Sequence, residues 1–226
     1  MTNRSDAHII ESWKKNVHPW IVAIRDGTIE SRVRVTNTAI VEAVIAQSPR
    51  TVLDVGCGEG WLVRALGQCG IDALGIDGVP QLIEHAMQEG GGRFRTLPYE
   101  VLSSDVLQEQ FDAMVCNFSL LGHESVDHIF QQARFLLHKN GSLVIQTLHP
   151  VDSCGGGQYE DGWREGAWAG FSDTFRDPAP WYFRTLETWK ALFAENHLVL
   201  SDPLEPLDPT TQLPASIIFI GTVRTS

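Results

Sequence analysis

Residues 51–62, TVLDVGCGEGWL, constrain the fold more than any other stretch of the chain. The apolar, β-branched run Thr51, Val52, Leu53, Asp54 and Val55 stops at Gly56, Gly58 and Gly60, a pattern that predicts a buried parallel strand turning sharply into a helix. Glycine suits this turn because a ligand approaches a backbone closely only where no Cβ intervenes, and because such a turn uses φ/ψ values that other residues resist. A nucleotide-like cofactor is expected here, and the spacing narrows its identity. In the dinucleotide fingerprint G-x-G-x-x-G the third glycine would stand where Trp61 is, which disfavours a nicotinamide or flavin dinucleotide. No G-x-x-x-x-G-K-[ST] occurs, so a Walker A loop is excluded. Asp54, inside the strand, would repel a pyrophosphate but meet a cationic group, which points to a cofactor with an ammonium.

The run 51–62 resembles motif I of the class I S-adenosylmethionine-dependent methyltransferases. Further stretches extend the resemblance in order: Gly75-Ile76-Asp77 is similar to the family's acidic second motif, residues 111–117 (FDAMVCN) to its fourth strand, and residues 136–143 (LLHKNGSL) to the helix-turn-strand near its end. Together they span about residues 45–223. The resemblance implies S-adenosylmethionine as cofactor, S-adenosylhomocysteine as product, and methyl transfer by in-line displacement to a small-molecule acceptor. It implies that Gly56, Cys57, Gly58 and Gly60 shape the loop beside the methionine part, while Asp54 orders its ammonium. Asp77 would accept hydrogen bonds from ribose hydroxyls, or else cap the following helix. Gly78 and Val79 would flank the adenine. Its edge would be met near Pro98 and Tyr99, although the family's usual acidic residue is missing there. Asn117 and Phe118 would border the methionine moiety.

The fold expected is α/β: a three-layer αβα sandwich around a seven-stranded, mostly parallel sheet with an antiparallel last strand, N-terminal helices and an insertion after strand five. Strands are read at 51–55, 72–76, about 93–97, 111–117 and 142–148, alternating with helices at 60–69, 79–88, about 100–104 and 125–137, the last closed by a left-handed stop at His138-Lys139-Asn140-Gly141. Ahead of them, Ile9, Trp13, Val17, Trp20, Ile21 and Ile24 recur at helical spacing, broken by Pro19, and a further helix starts near Thr36 or Asn37. A final helix, 186–196, precedes strands at 197–203 and 215–223. All 226 residues then form one domain: a helical cap (1–47), a cofactor-binding core (50–149), a substrate-lid insertion (150–184) and the closing helix and strand pair (185–226). The insertion holds Gly155-Gly156-Gly157 and many aromatics, and starts at the carboxyl edge of the sheet, where open α/β folds bind ligands. Its Arg164, Arg176 and Arg184 either hold an acceptor carboxylate or form salt bridges within the lid.

His149 ends strand five at that edge. It could take a proton from an acceptor hydroxyl or amine, or merely orient the lid. His123 is a second candidate. His123 and His128 lie five apart, off the i, i+4 face of a shared metal, so no metal site is expected. A net charge of −11 without a Lys/Arg run disfavours nucleic acid. No apolar run approaches the ~20 residues that span a bilayer, and a cytoplasmic monomer or homodimer acting on a small molecule is expected. Two rival readings are a noncatalytic S-adenosylmethionine-binding regulatory protein and a tRNA or protein methyltransferase.

Overall fold

Strand β1 (Thr51–Val55) lies inside a sheet, parallel to both of its neighbours, and its last four residues are buried. That placement explains its near-continuous apolar sequence, since a parallel strand covered on both faces has no polar side to present. The computed structural model describes residues 4–154 and 157–224, so Gly155 and Gly156 of the glycine triplet lie outside the described residues, as do 1–3 and 225–226.

The chain opens with α1 (Asp6–Lys15), α2 (Val17–Arg25) and α3 (Asn37–Ile45). After β1 come α4 (Trp61–Gln68), β2 (Asp72–Asp77), α5 (Pro80–Glu89), β3 (Arg93–Thr96), α6 (Ser104–Leu107) and β4 (Phe111–Asn117). Then follow α7 (Glu124–Leu136), β5 (Leu137–Thr147), α8 (Pro150–Ser153), β6 (Gly162–Arg164), β7 (Trp181–Phe183), α9 (Leu186–Glu195), β8 (Leu198–Leu200) and β9 (Ile217–Val223). The main sheet has seven strands in the order β3-β2-β1-β4-β5-β9-β8, and β9, last in the chain, runs antiparallel to both strands beside it. One face packs Leu53, Met114, Phe130, Phe193 and Phe219 with α7 and α9, and the other packs Val52, Val115, Ile40, Leu62 and Ile83 with α3, α4 and α5. This is the expected three-layer sandwich. Strand order reverses between β1 and β4, and the crevice at their carboxyl ends is where such sheets hold ligands.

Local departures from the sequence reading have physical causes. The first break falls at Asn16 and not at Pro19, because Pro19 sits in the first turn of α2, where no amide donor is required of it. Thr36 makes no capping bond. A π-helical turn over Arg32–Thr36 carries the chain directly into α3. Helix α7 has no left-handed stop of its own: β5 begins at once, and the positive φ of +65° at Asn140 lies inside an irregularity in the pairing of β5 with β4. Within the insertion, β6 and β7 form a separate antiparallel pair.

Candidate functional site

A cavity of about 410 Å³ opens at the carboxyl ends of β1, β2 and β4. Its floor is the glycine loop. The amides of Gly56 and Cys57 both donate to the Ile76 carbonyl, at 2.8 and 3.0 Å, which pins the loop to β2. Gly56 has φ +77°, and a Cβ there would collide with the Tyr99 hydroxyl and the Ser119 side chain. The Ser119 hydroxyl in turn donates to the Val55 carbonyl at 2.7 Å, so loop, β1 and the end of β4 form one rigid corner.

Of the residues read from the sequence as cofactor contacts, Gly56, Cys57, Gly58, Asp77, Gly78, Val79, Tyr99, Asn117 and Phe118 line this cavity. Asp54, Gly60 and Pro98 do not. Gly60 faces away, where an added Cβ would run into the Phe94 ring, so it serves the packing of α4 on β3. Pro98 lies beside Gly78 without reaching the lining. Asp54 is buried below the floor, and its Oδ2 has no hydrogen-bond partner.

Asp77 holds the start of the helix that follows it, one of the two roles the sequence left open, and it also borders the cavity. Its Oδ1 accepts from the Val79 amide at 2.8 Å, which tethers the start of α5, and its Oδ2 accepts from the Gly58 amide at 3.0 Å while the residue still borders the cavity. Burial raises Asp77 to about 6 in spite of those two amide bonds. Burial, and next the Asp77 carboxylate, raise Asp54 to about 8. A buried carboxyl raised this far keeps its proton near neutrality in the free protein, and a cation brought beside it would favour its ionised form.

The sequence reading missed Arg32. This arginine is 7% exposed and lines the cavity, with its guanidinium carbon 5.4 Å from the centroid of Trp20, 5.2 Å from Trp61 and 6.0 Å from Phe118. Burial lowers its pKa to about 10, so it stays charged near neutrality, and its Nε has no partner. Asn117 Oδ1 is likewise buried and unpaired. A cation with an unpaired Nε and a spare amide oxygen thus share one end of the cavity, with the Asp54 carboxyl, which keeps its proton near neutrality in the free protein, buried close by. That set complements the carboxylate and ammonium of an α-amino acid.

The opposite half is apolar, lined by Ile9, Ile10, Trp13, Leu121, Leu148, Trp168, Phe171 and Trp181. Its roof is made of two segments clasped together. Asn16, fully buried, donates from Nδ2 to the Arg176 carbonyl at 2.7 Å and accepts at Oδ1 from the Arg176 amide at 2.8 Å. Trp168 Nε1 donates to the same carbonyl at 2.9 Å, and its ring meets Trp13 edge-on at 5.7 Å. Ser12 bonds to the Asp177 carbonyl, Lys15 to the Asp177 carboxylate and Arg4 to Glu165.

The other candidates lie elsewhere. His149 does not line the cavity: its Nε2 is 3.4 Å from Glu205 and its Nδ1 3.1 Å from Asp152. The geometry thus removes it from the groups that could meet an acceptor. His123 stacks on Tyr182 with centroids 4.2 Å apart. Arg184 donates to the carbonyls of Gly122 and His123 and so ties the insertion to the loop ahead of α7, Arg164 donates to those of Gln158 and Glu160 within the insertion, and Arg176 is exposed.

Residues 30–202, more than half of the chain, match the family described as a methyltransferase domain. The chain belongs to that family. A ubiquinone biosynthesis O-methyltransferase from Methylococcus capsulatus is 31% identical over 150 residues, which cover 62% of this chain and 61% of that protein. The chain spans between 28% and 61% of the length of the first curated relatives it matches. Among solved structures, an S-adenosylmethionine-dependent methyltransferase from Mesorhizobium loti superimposes with a TM-score of 0.62 at 19% identity, over 80% of this chain and 96% of that one. Magnesium protoporphyrin IX methyltransferase from Synechocystis, with bound S-adenosylhomocysteine, gives 0.58 at 16% identity, over 83% and 81%. These likenesses establish the methyltransferase αβα fold. No described helix is long and apolar enough to cross a membrane.

Proposed function

We propose that this chain binds S-adenosylmethionine and transfers its methyl group to a small, flat, apolar acceptor. The observation that carries this reading is that one cavity joins an end lined by Arg32 and Asn117, with Asp54 buried outside the lining but close enough to feel the Arg32 charge, to an aromatic chamber roofed by the insertion. The relative named for O-methyl transfer in ubiquinone biosynthesis supports a small-molecule acceptor. A net charge of −11 speaks against a nucleic acid, and a cavity lined by one chain is complete without a partner.

When bound, S-adenosylmethionine supplies an electrophilic methyl on a sulfonium, displaced in line. What the protein supplies is placement and exclusion of water. Arg32 would hold the carboxylate of the amino-acid part, clamped in direction by Trp20, Trp61 and Phe118. Asp54 would meet the ammonium, directly or through water. The Cβ-free Gly56 and Gly58 let the ligand approach the loop closely. Asp77 keeps lone pairs for ribose hydroxyls beyond its two amide bonds, and Val79 offers an apolar face to the adenine. The aromatic roof shuts bulk water away from the transfer.

Calorimetric titration with S-adenosylmethionine and S-adenosylhomocysteine, with an Asp77→Ala variant and a nicotinamide dinucleotide control, tests this reading. Micromolar binding of the first two ligands, weakened in the variant and absent for the control, is expected. Binding only of the dinucleotide would refute it.

A further inference from the structure

The acceptor chamber is unusual in what it lacks. The titratable side chains among the described lining residues are Asp6, Arg32, Cys57, Asp77, Tyr99 and Glu100. Of these, Arg32, Cys57, Asp77 and Tyr99 are assigned above to the cofactor; the other two, Asp6 and Glu100, are carboxylates, and the described lining holds no histidine and no second cation. The walls are the rings of Trp13, Trp168, Phe171 and Trp181.

Three classes of acceptor can be weighed against that lining. A carboxylate or phosphate would be stripped of water beside Asp6 and Glu100 with no counter-cation of its own, which is strongly unfavourable. A hydroxyl must shed a proton as it is methylated, which calls for a base poised near neutrality. Asp6 is engaged otherwise, its oxygens accepting from the His123 amide at 2.9 Å and the Ser125 amide at 2.7 Å to cap α7, and Glu100 is exposed to solvent. An uncharged ring nitrogen needs neither a base nor a counter-cation. Its product is a cation, which aromatic faces attract through their quadrupoles and which the two carboxylates attract directly.

We infer that the acceptor is an uncharged, flat nitrogen heteroaromatic that leaves as an N-methyl cation, held among Trp13, Trp168 and Trp181 with Asp6 and Glu100 at the chamber's edge. The inference rests on the proposed methyl transfer and specifies its acceptor. The ring nitrogen's lone pair forms the N–C bond while the S–C bond breaks, with that electron pair remaining on sulfur. Positive charge passes from sulfur to nitrogen, and no proton is released.

The test uses three bicyclic probes of matched shape, quinoline, 1-naphthol and 2-naphthoic acid, with the full chain and tritium-labelled S-adenosylmethionine. Cofactor binding is followed calorimetrically in the same samples. Label should enter quinoline as N-methylquinolinium, at a rate under saturating cofactor that is level between about pH 7 and pH 9, without proton release. Trp168→Leu should lower kcat/KM for quinoline by about tenfold, the scale of one desolvated cation–π contact, while leaving cofactor affinity intact. Preferential labelling of naphthol or naphthoate would overturn the inference. So would a rate that climbs with pH and is levelled by Asp6→Asn, or cofactor binding with no transfer to quinoline. Failure to bind the cofactor would instead strike down the proposed function itself.

Discussion

Replacing Asp54 by asparagine removes a titration that should be visible in the stability of the free protein. Burial first, and the Asp77 carboxylate second, raise Asp54 from 3.8 to about 8 in the folded chain. A carboxyl whose folded-state pKa lies above its unfolded value stabilises the fold below the unfolded value, and that contribution is lost as pH rises through the folded one. Between about pH 6 and pH 8 the folded chain keeps this proton and the unfolded chain does not, so stability falls by about 1.4 kcal/mol per pH unit on account of this group. Asp77, raised to about 6 by burial, acts mostly below that window. At about 2–4 °C per kcal/mol for a chain of this size, Tm should drop by roughly 3–6 °C per pH unit. Thermal scans of wild type and Asp54→Asn across that range measure the difference in slope directly. Saturating S-adenosylhomocysteine, whose ammonium favours the ionised carboxylate, should flatten the wild-type slope as well, and cofactor affinity should strengthen by up to about tenfold per pH unit toward pH 8. Equal slopes in the wild type and the variant would show that Asp54 keeps an ordinary pKa in the folded chain and would refute this reasoning.

Arg32→Met keeps the stacked, apolar packing but deletes a charge-assisted contact of about 1.5–3 kcal/mol, so S-adenosylmethionine should bind roughly 10- to 150-fold more weakly by calorimetry. In Gly56→Ala, a side chain at φ +77° meets Tyr99 and Ser119; cofactor binding should be lost and Tm should fall by several degrees, both read in one thermal-shift titration. His149→Gln should leave kcat within about twofold of wild type once an acceptor is in hand, whereas a fall of about a hundredfold would restore His149 as a general base. Asn16→Ala leaves the Arg176 amide unpaired and removes one of the two donors to its carbonyl, Trp168 remaining, and should raise the acceptor KM while the cofactor Kd stays within about twofold; proteolysis within residues 160–180 should speed up in parallel.

The cofactor half was legible in the sequence because each of its parts has a local cause. A strand that is apolar on both faces, a turn that only glycine permits and an acidic residue at the end of β2 are each fixed by neighbours in the chain. Arg32 was not legible. It lies in a π-helical turn with no clear apolar period, and what buries it, the rings of Trp20, Trp61 and Phe118, comes from three distant segments. The one available hint was the alternation of arginine and valine in Arg32-Val33-Arg34-Val35, just ahead of an apolar helix. His149 misled for a different reason. The strand ends at Thr147, two residues short of this histidine, and His149, now ahead of α8, lies beside Asp152 and Glu205 and outside the cavity lining.

The two halves of the site differ in how they are held, and that difference bears on how the chain selects an acceptor. The cofactor end is fixed by main-chain bonds between neighbouring strands and by Ser119 and Asp77, all tied to the sheet. The acceptor chamber is fixed by contacts between segments about 160 residues apart in the chain: Asn16 with Arg176, Ser12 and Lys15 with Asp177, and Arg4 with Glu165. Because the Arg176 carbonyl accepts from both Asn16 and Trp168, a shift of α1 draws on the same atom that orients the Trp168 ring, and the ring in turn bears on Trp13 of α1. A change in either segment therefore bears on the other. Substitutions in α1 and in residues 160–180 should then alter acceptor choice jointly and non-additively, while leaving the cofactor end, anchored to the sheet, as it was.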